Sequence, residues 1–391
     1  MVLLKNLFKN RLFIIGLLVP FLFQIVYFCI AIPAVKNADK HVDNLNIAII
    51  NEDQNLGRQI VAQLSTVLPF NLSYPADLAS ALDTMDSGET NMVLYISPDF
   101  SASAQQGTAA VAYYINQSAP AMTKQLMEKT ALAVNQTLNE NIFLIQKGLI
   151  LQKTLSGLSQ SGLPEPVLSQ LSANLSAVFD SLKYDVVTGD IQKVNDSQGF
   201  AQTVMPFFIF LTYFVGSIIM SVLHNLSYRS LRTPISRSRL LLTQFGVNLV
   251  VSILLPCVVI GLLQAFGIPL SLGSGTAWLL LSTAFLVLLY LVQMFGNWLG
   301  IMGIGMAALV LFPMQLMSSG LMYSREILPA AYSVIGDCLP VSYFGDGMLK
   351  MFYGGNSISG DITVLLIMLA VFLAVSALSV LKKSAKHATA T

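Results

Sequence analysis

The chain has 391 residues, 54% of them hydrophobic and only 10% charged. A soluble domain carries about 25% charged residues, so the composition excludes an ordinary soluble enzyme and indicates an integral membrane protein. The formal net charge of +1 says nothing as a sum, because the charges are unevenly distributed along the chain; no nucleic-acid partner is expected.

Residues 1–11 are short and basic through Lys5, Lys9 and Arg11, with Leu3, Leu4, Leu7 and Phe8 between them. The apolar run 12–35 is too long for the core of a signal peptide and suits a membrane crossing, which takes about 20 apolar residues. No small-residue cleavage site follows. The expectation is an uncleaved first membrane helix with a basic amphipathic lead-in at the cytoplasmic surface.

Residues 36–199 read as a folded α/β domain. NIAIIN (46–51) has the pattern of a buried strand, 57–68 of a helix, and 76–86 of a second helix opening behind Pro75. NMVLYI (91–96), stopped by Ser97-Pro98, and 109–115 are further strands. Strands alternating with helices at these lengths predict βαβ units around a small sheet. From 119 to about 180 the pattern turns helical, with a break at Gly162-Leu163-Pro164 that predicts two long helices.

Five more membrane helices are expected at 200–223, 240–266, 277–299, 300–322 and 362–381, with Pro206, Pro256 and Pro313 inside three of them as kink sites. The fourth and fifth spans abut through Gly296 to Gly300 and must turn tightly. Between the fifth and sixth spans, 323–360 is too polar to cross a bilayer and too apolar for a solvated loop. It predicts a re-entrant or interfacial hairpin of two short helices, its turn fixed by Pro340, Tyr343, Gly345, Asp346 and Gly347, with Asp346 paired to Lys350 one helical turn on.

Lys/Arg bias sets the orientation. The lead-in, the loop bearing Arg229, Arg232, Arg237 and Arg239, and the tail bearing Lys382, Lys383 and Lys386 contain no acidic residue. The positive-inside rule puts both termini and that loop in the cytoplasm, with the α/β domain and hairpin outside. The fold class is thus a polytopic α-helical membrane protein of six spans, with 1–35 as lead-in and first span, 36–199 extracytoplasmic, and 200–391 as the five-helix remainder.

Cys29, Cys257 and Cys338 form no CxxC pair, the three histidines lie in separate segments, and no HExxH occurs, so no metal site is expected. The expected spans carry no charge and no Asp/Glu/His relay, which argues against a proton- or sodium-driven carrier. Gln244, Asn248, Gln264, Gln293, Asn297 and Gln315 are the polar residues that could line a path for an amphipathic substrate; interhelical hydrogen bonding explains them equally. Asn51-Glu52-Asp53 closes the first strand at the edge where open α/β sheets bind ligands, and helix capping explains it too.

Four pieces of the chain carry a resemblance to permeases of type 2 ABC transporters, specifically the YhgE/Pip (phage infection protein) family. These are KNLFKNRLFIIGLLVPFLFQIVYFCIA followed by LNIAIINEDQNLG, then LASALDTMDSGETNMVLYISPDFSAS, FPMQLMSSGLMYSREILP and LPVSYFGDGMLKMFYGG. The chain departs from that family's pattern at Gly320-Leu321-Met322, where Gly-Gly-Thr is common, and at Lys350, where Arg is common. The resemblance implies an exporter subunit without cofactor in the cell membrane, working as a homodimer among membrane lipids with a separate ATP-binding subunit. No G-x-x-x-x-G-K-[ST] loop occurs, so the chain itself has no such ATPase. Lys5, Lys9, Arg11 and the four loop arginines are the coupling candidates; topology and lipid headgroups account for them as well. The alternative class is a non-transporting envelope protein whose outer domain is a binding, phage-receptor or secretion-apparatus module.

Overall fold

The structure, a computed structural model, describes residues 2–36, 42–106, 108–159, 164–182, 200–230, 236–321, 328–355 and 357–388. The chain divides into two compact units, Met1–Asp39 with Lys193–Thr391, and Lys40–Gln192. It opens with a short helix α1 (Val2–Leu7) and the first span α2 (Arg11–Val35). The Asn10 side chain caps α2 by accepting from the Leu12 N–H at 2.9 Å, occupying one of the helix's otherwise orphaned donors.

The second unit follows as β1 (Asn46–Asn51), α3 (Leu56–Val67), β2 (Asn71–Ser73), α4 (Leu78–Asp86), β3 (Met92–Ile96), α5 (Phe100–Gln106), β4 (Val111–Ile115), α6 (Ala121–Ser159) and α7 (Glu165–Ser181). Its sheet runs β2-β1-β3-β4, with β1 parallel to both neighbours and β4 antiparallel to β3. Ile47 and Ile49 pack with Ile60, Leu64, Phe100 and Met127 on one face, while Ala48 and Ile50 pack with Ala81 and Met85 on the other. Both faces are covered, which is why β1 reads as a continuous apolar run rather than an alternating one. The three-residue β2 has no counterpart among the expected strands. The break at Gly162-Leu163 lies outside the described residues.

The first unit resumes with α8 (Phe200–Arg229), α9 (Arg237–Ala265) and α10 (Ser274–Leu299). Gly300, at φ 70°, makes the turn into α11 (Ile301–Met306), a conformation that costs a residue with a Cβ about 1–2 kcal/mol. A π-helical turn (Ala307–Leu311) joins α11 to α12 (Phe312–Ser318), just ahead of Pro313. Proline has no N–H and crowds the preceding turn, and a widened turn is one way a helix absorbs this. Then come α13 (Ala330–Asp337), α14 (Pro340–Tyr353) and α15 (Ser359–Ala388). Among the described residues six helical stretches are long and apolar enough to span a membrane: Arg11–Val35, Phe200–Arg229, Ser238–Ala265, Ser274–Leu299, Ile301–Ser318 and Ser359–Ser379. They coincide with the six expected spans.

The fourth span is the axis of this unit. α10 packs against α8, α9, α11, α14 and α15, and every residue from Leu280 to Gln293 is buried. A helix apolar on all sides belongs inside a bundle, and here that position organises both of its ends.

Candidate functional site

One end of the bundle is closed by α13 and α14, the two short helices expected of the hairpin. The turn is elsewhere than expected, however. Pro340, Tyr343, Gly345, Asp346 and Gly347 all lie inside α14, with Pro340 in its first turn, where its missing N–H costs nothing. The chain turns just before them, at Cys338 and Leu339. The glycines serve close packing instead. A Cβ at Gly345 would come within 2.8 Å of the Ser319 carbonyl oxygen, and one at Gly347 within 2.7 Å of Leu280 Cδ1. Phe344, from the same face, stacks on Tyr213 of α8 with centroids 5.7 Å apart.

The partner of Lys350 also differs from the expectation. Its Nζ donates to Asp361 Oδ2 in the first turn of α15 at 2.7 Å, rather than turning back along α14 to Asp346. A carboxylate at a helix N-terminus is favoured by the helix dipole, so Asp361 suits α15 even before it binds Lys350. Sequence spacing pointed to the local pair because it cannot see a partner across a turn. The carbonyls left open at the end of α14 find donors on two other elements. Phe352 O accepts from Gln202 Nε2 at 2.6 Å and from Ser271 Oγ at 2.7 Å, and Met351 O accepts from the Ser271 N–H at 2.9 Å. These contacts satisfy a helix terminus that lipid could not.

Along the axis, three of the six polar path candidates meet. Gln293 Oε1 accepts from Gln244 Nε2 and Asn248 Nδ2, each at 2.6 Å, and Gln293 Nε2 donates to Asn248 Oδ1 at 3.3 Å. This cluster ties α9 to α10. Asn297 lines a small cavity with Gln244 and Gln293, floored by His224, whose ring stacks on Phe13 at 4.7 Å. Gln264 lies apart at the far end of α9, beside Ser274, and Gln315 is fully buried in the fifth span with neither amide atom hydrogen-bonded among the described residues.

The opposite end carries the basic residues. Asn10 Nδ2 donates to Ser230 Oγ at 2.7 Å, bringing the lead-in beside the end of α8. Lys5, Lys9, Arg11, Arg229 and Arg239 are exposed there. Arg232 and the Arg237 side chain lie outside the described residues. Arg229 folds onto the Gly300 turn so closely that a Cβ at Gly300 would collide with its guanidinium. Beneath it opens a cavity of about 290 Å³ lined by Asn225, Tyr228, Asn297, Trp298 and Ser379 among others. No sequence signal linked Arg229 to Gly300, since the two meet only through the packing of α8 on α10 and α11.

In the sheet unit, Asp53 is a structural knot. Its Oδ2 accepts from the N–H groups of Asn55 and Gly57 and from the Ser101 hydroxyl at 2.7–3.0 Å, and Oδ1 accepts from the Ser101 N–H at 3.0 Å. It therefore caps α3 and α5 together. Burial pushes the Asp53 carboxyl up, but the Ser101 hydroxyl and the Gly57, Ser101 and Asn55 N–H groups outweigh it and hold the acid below its ordinary value. The Asn-Glu-Asp and Pro-Asp-Phe-Ser segments thus meet to build the fold rather than a ligand site.

The profile of a family described as ABC-2 family transporter protein matches residues 11–378. No curated protein and no solved structure gives a match. The match spans all six membrane helices and the sheet unit between the first two, and the permeases of this family leave ATP hydrolysis to a partner subunit. The chain belongs to the ABC-2 transporter family, as a multi-pass membrane permease subunit without ATPase activity of its own.

Proposed function

We propose that the chain is the membrane half of an ATP-driven exporter of the YhgE/Pip branch, moving an amphipathic or lipid-like substrate out of the cytoplasm or inner leaflet. In this reading both termini and the basic end face the cytoplasm, and the ATP-binding subunit docks on that end. One observation carries it: the Asn10–Ser230 contact brings the basic lead-in beside Arg229 at the end of α8, at one end of the bundle. Closure of the ATPase pushes on that face, and α14, tied to α8, α10 and α15, receives the motion at the far end.

The subunit works as a homodimer or with a similar chain. Support comes from α10, which fills the bundle axis with side chains and leaves the route to be formed against a second subunit. The outer unit guides or hands on cargo.

Affinity purification in mild detergent, with mass spectrometry of what is retained, tests this. The expected result is a stoichiometric ATP-binding subunit that is lost when Arg229, Arg232, Arg237 and Arg239 become Gln. If no ATPase is retained in several detergents and a partner of the outer unit is found instead, the export reading fails and the receptor class replaces it.

A further inference from the structure

The cavity under Arg229 has a neighbour. A groove of about 480 Å³ runs between α9, α10 and α15, lined by Leu242, Phe245, Tyr290, Leu373 and Ala377, and it shares Leu241 with the first cavity. The two differ sharply in chemistry. The groove wall is apolar apart from Ser238, the Tyr290 phenol and Ser376, a residue 2% exposed whose hydroxyl has no hydrogen-bond partner. Among the described residues the first cavity is lined by one cation, Arg229, and neither space is lined by a carboxylate. Around Arg229 are buried polar atoms that also lack partners: Asn225 Oδ1, the Tyr228 hydroxyl and Asn297 Nδ2. Among the described residues Arg229 makes no ion pair.

Buried polar atoms are ordinarily hydrogen-bonded, and each one left open costs about 1–3 kcal/mol. The atoms themselves are closed off, but the side chains of Asn225, Tyr228 and Asn297 line the cavity with Arg229, so a polar group entering there meets a polar wall and a guanidinium without an ion pair among the described residues. Arginine's planar fork of donors matches a phosphate in two-pronged fashion. An apolar groove next to that pocket, across Leu241, suits a hydrocarbon chain, and the two volumes fall within or near the range of ligand clefts, about 300–1,000 Å³.

We infer that these adjacent spaces form a binding site for an anionic, phosphate-headed lipid, its head beneath Arg229 and its chain between α9 and α15. The site lies within one subunit, at the leaflet on the basic end. It deepens the export reading by naming the class of cargo and rests on that reading only for direction. Binding needs no ATPase, so a failure of binding and a failure of coupling are separately visible.

The chain's two tryptophans supply the probe. Trp298 lines the head cavity, and its indole N–H donates to Val375 O of α15 at 2.9 Å. Trp278, whose indole donates to Ile253 O, is silenced as Trp278→Phe. The full chain is reconstituted in vesicles of unbrominated phosphatidylcholine. Chain-brominated phosphatidylglycerol or chain-brominated phosphatidylcholine is then titrated in, and quenching of Trp298 is followed.

The expected result is at least about a threefold preference for the phosphoglycerol lipid, a modest ratio because exposed charges are screened. Arg229→Gln should bring the ratio to one, and Ala377→Phe, which fills the groove and keeps the charge, should lower quenching by both lipids. A wild-type ratio of one, or a ratio that Arg229→Gln leaves unchanged, overturns the inference. So does abolition of the preference by inorganic phosphate at constant ionic strength, which would make the site one for a soluble anion.

Discussion

Lys350 and Asp361 hold the end of α14 to the start of α15, and breaking that pair should loosen the hairpin in a measurable way. Their side chains are 30% and 11% exposed, so the pair is neither solvated nor fully buried. Removing one partner of a buried pair costs about 3–5 kcal/mol, because a bare charge remains, whereas an exposed pair contributes about 0–1 kcal/mol. An intermediate site should lose about 2 kcal/mol, roughly 30-fold in the equilibrium for local opening. Hydrogen–deuterium exchange of the α14 amides in the full chain reads this opening directly. Lys350→Met and Asp361→Asn should each speed exchange by about that factor. The double substitution leaves no orphan charge and should exchange no faster than either single one. If the singles stay within about twofold of the native chain, or the double shows the product of their effects, the pair does not restrain α14 and the reasoning is wrong.

Asp53→Ala should destabilise the α3–α5 junction by about 3 kcal/mol, since it strands several donors at once, and Ser101→Ala by about 1 kcal/mol; exchange in those two helices checks the order. Because the folded carboxyl is held below its unfolded value, its contribution is present above the unfolded value, about pH 4, and is lost as pH falls through the lower folded one. A pH series on the native chain should show that acid limb, and Asp53→Asn should lack it. Gly347→Val forces a branched side chain against Leu280 and should cost about 1–3 kcal/mol of thermal stability in detergent. Gln293→Leu removes the shared acceptor of Gln244 and Asn248 and should cost about 1 kcal/mol, most of it recovered when all three become leucine.

What was legible in the sequence follows from the length scale of each signal. The spans are written as runs of about 20 apolar residues, and their ends fall close to those expected. The central strands β1 and β3 announced themselves as short apolar blocks. β2 did not, because Asn71 and Ser73 are exposed on a three-residue edge strand with no pattern to display. In the hairpin, Gly345 and Gly347 were legible as special positions but not as which kind. Glycine serves turns and tight helix contacts alike, and only the approach of Leu280 and Ser319 decides between them. Asp361, Gln202 and Ser271 went unnoticed for the same reason. Each acts on a residue brought near by packing, and one polar residue at a span's edge looks like any other.

The enclosure of α10 has a mechanical consequence. A helix buried without a gap from Leu280 to Gln293 among five neighbours cannot turn or slide without disturbing all of them at once, and close-packed interiors resist such continuous deformation. It is a stator. Any stroke delivered at the basic end must therefore carry the bundle as one body, pivoting on whatever lies beyond its lipid-facing spans, or else be confined to the rim, where the widened turn at Ala307–Leu311 gives the fifth span its own joint.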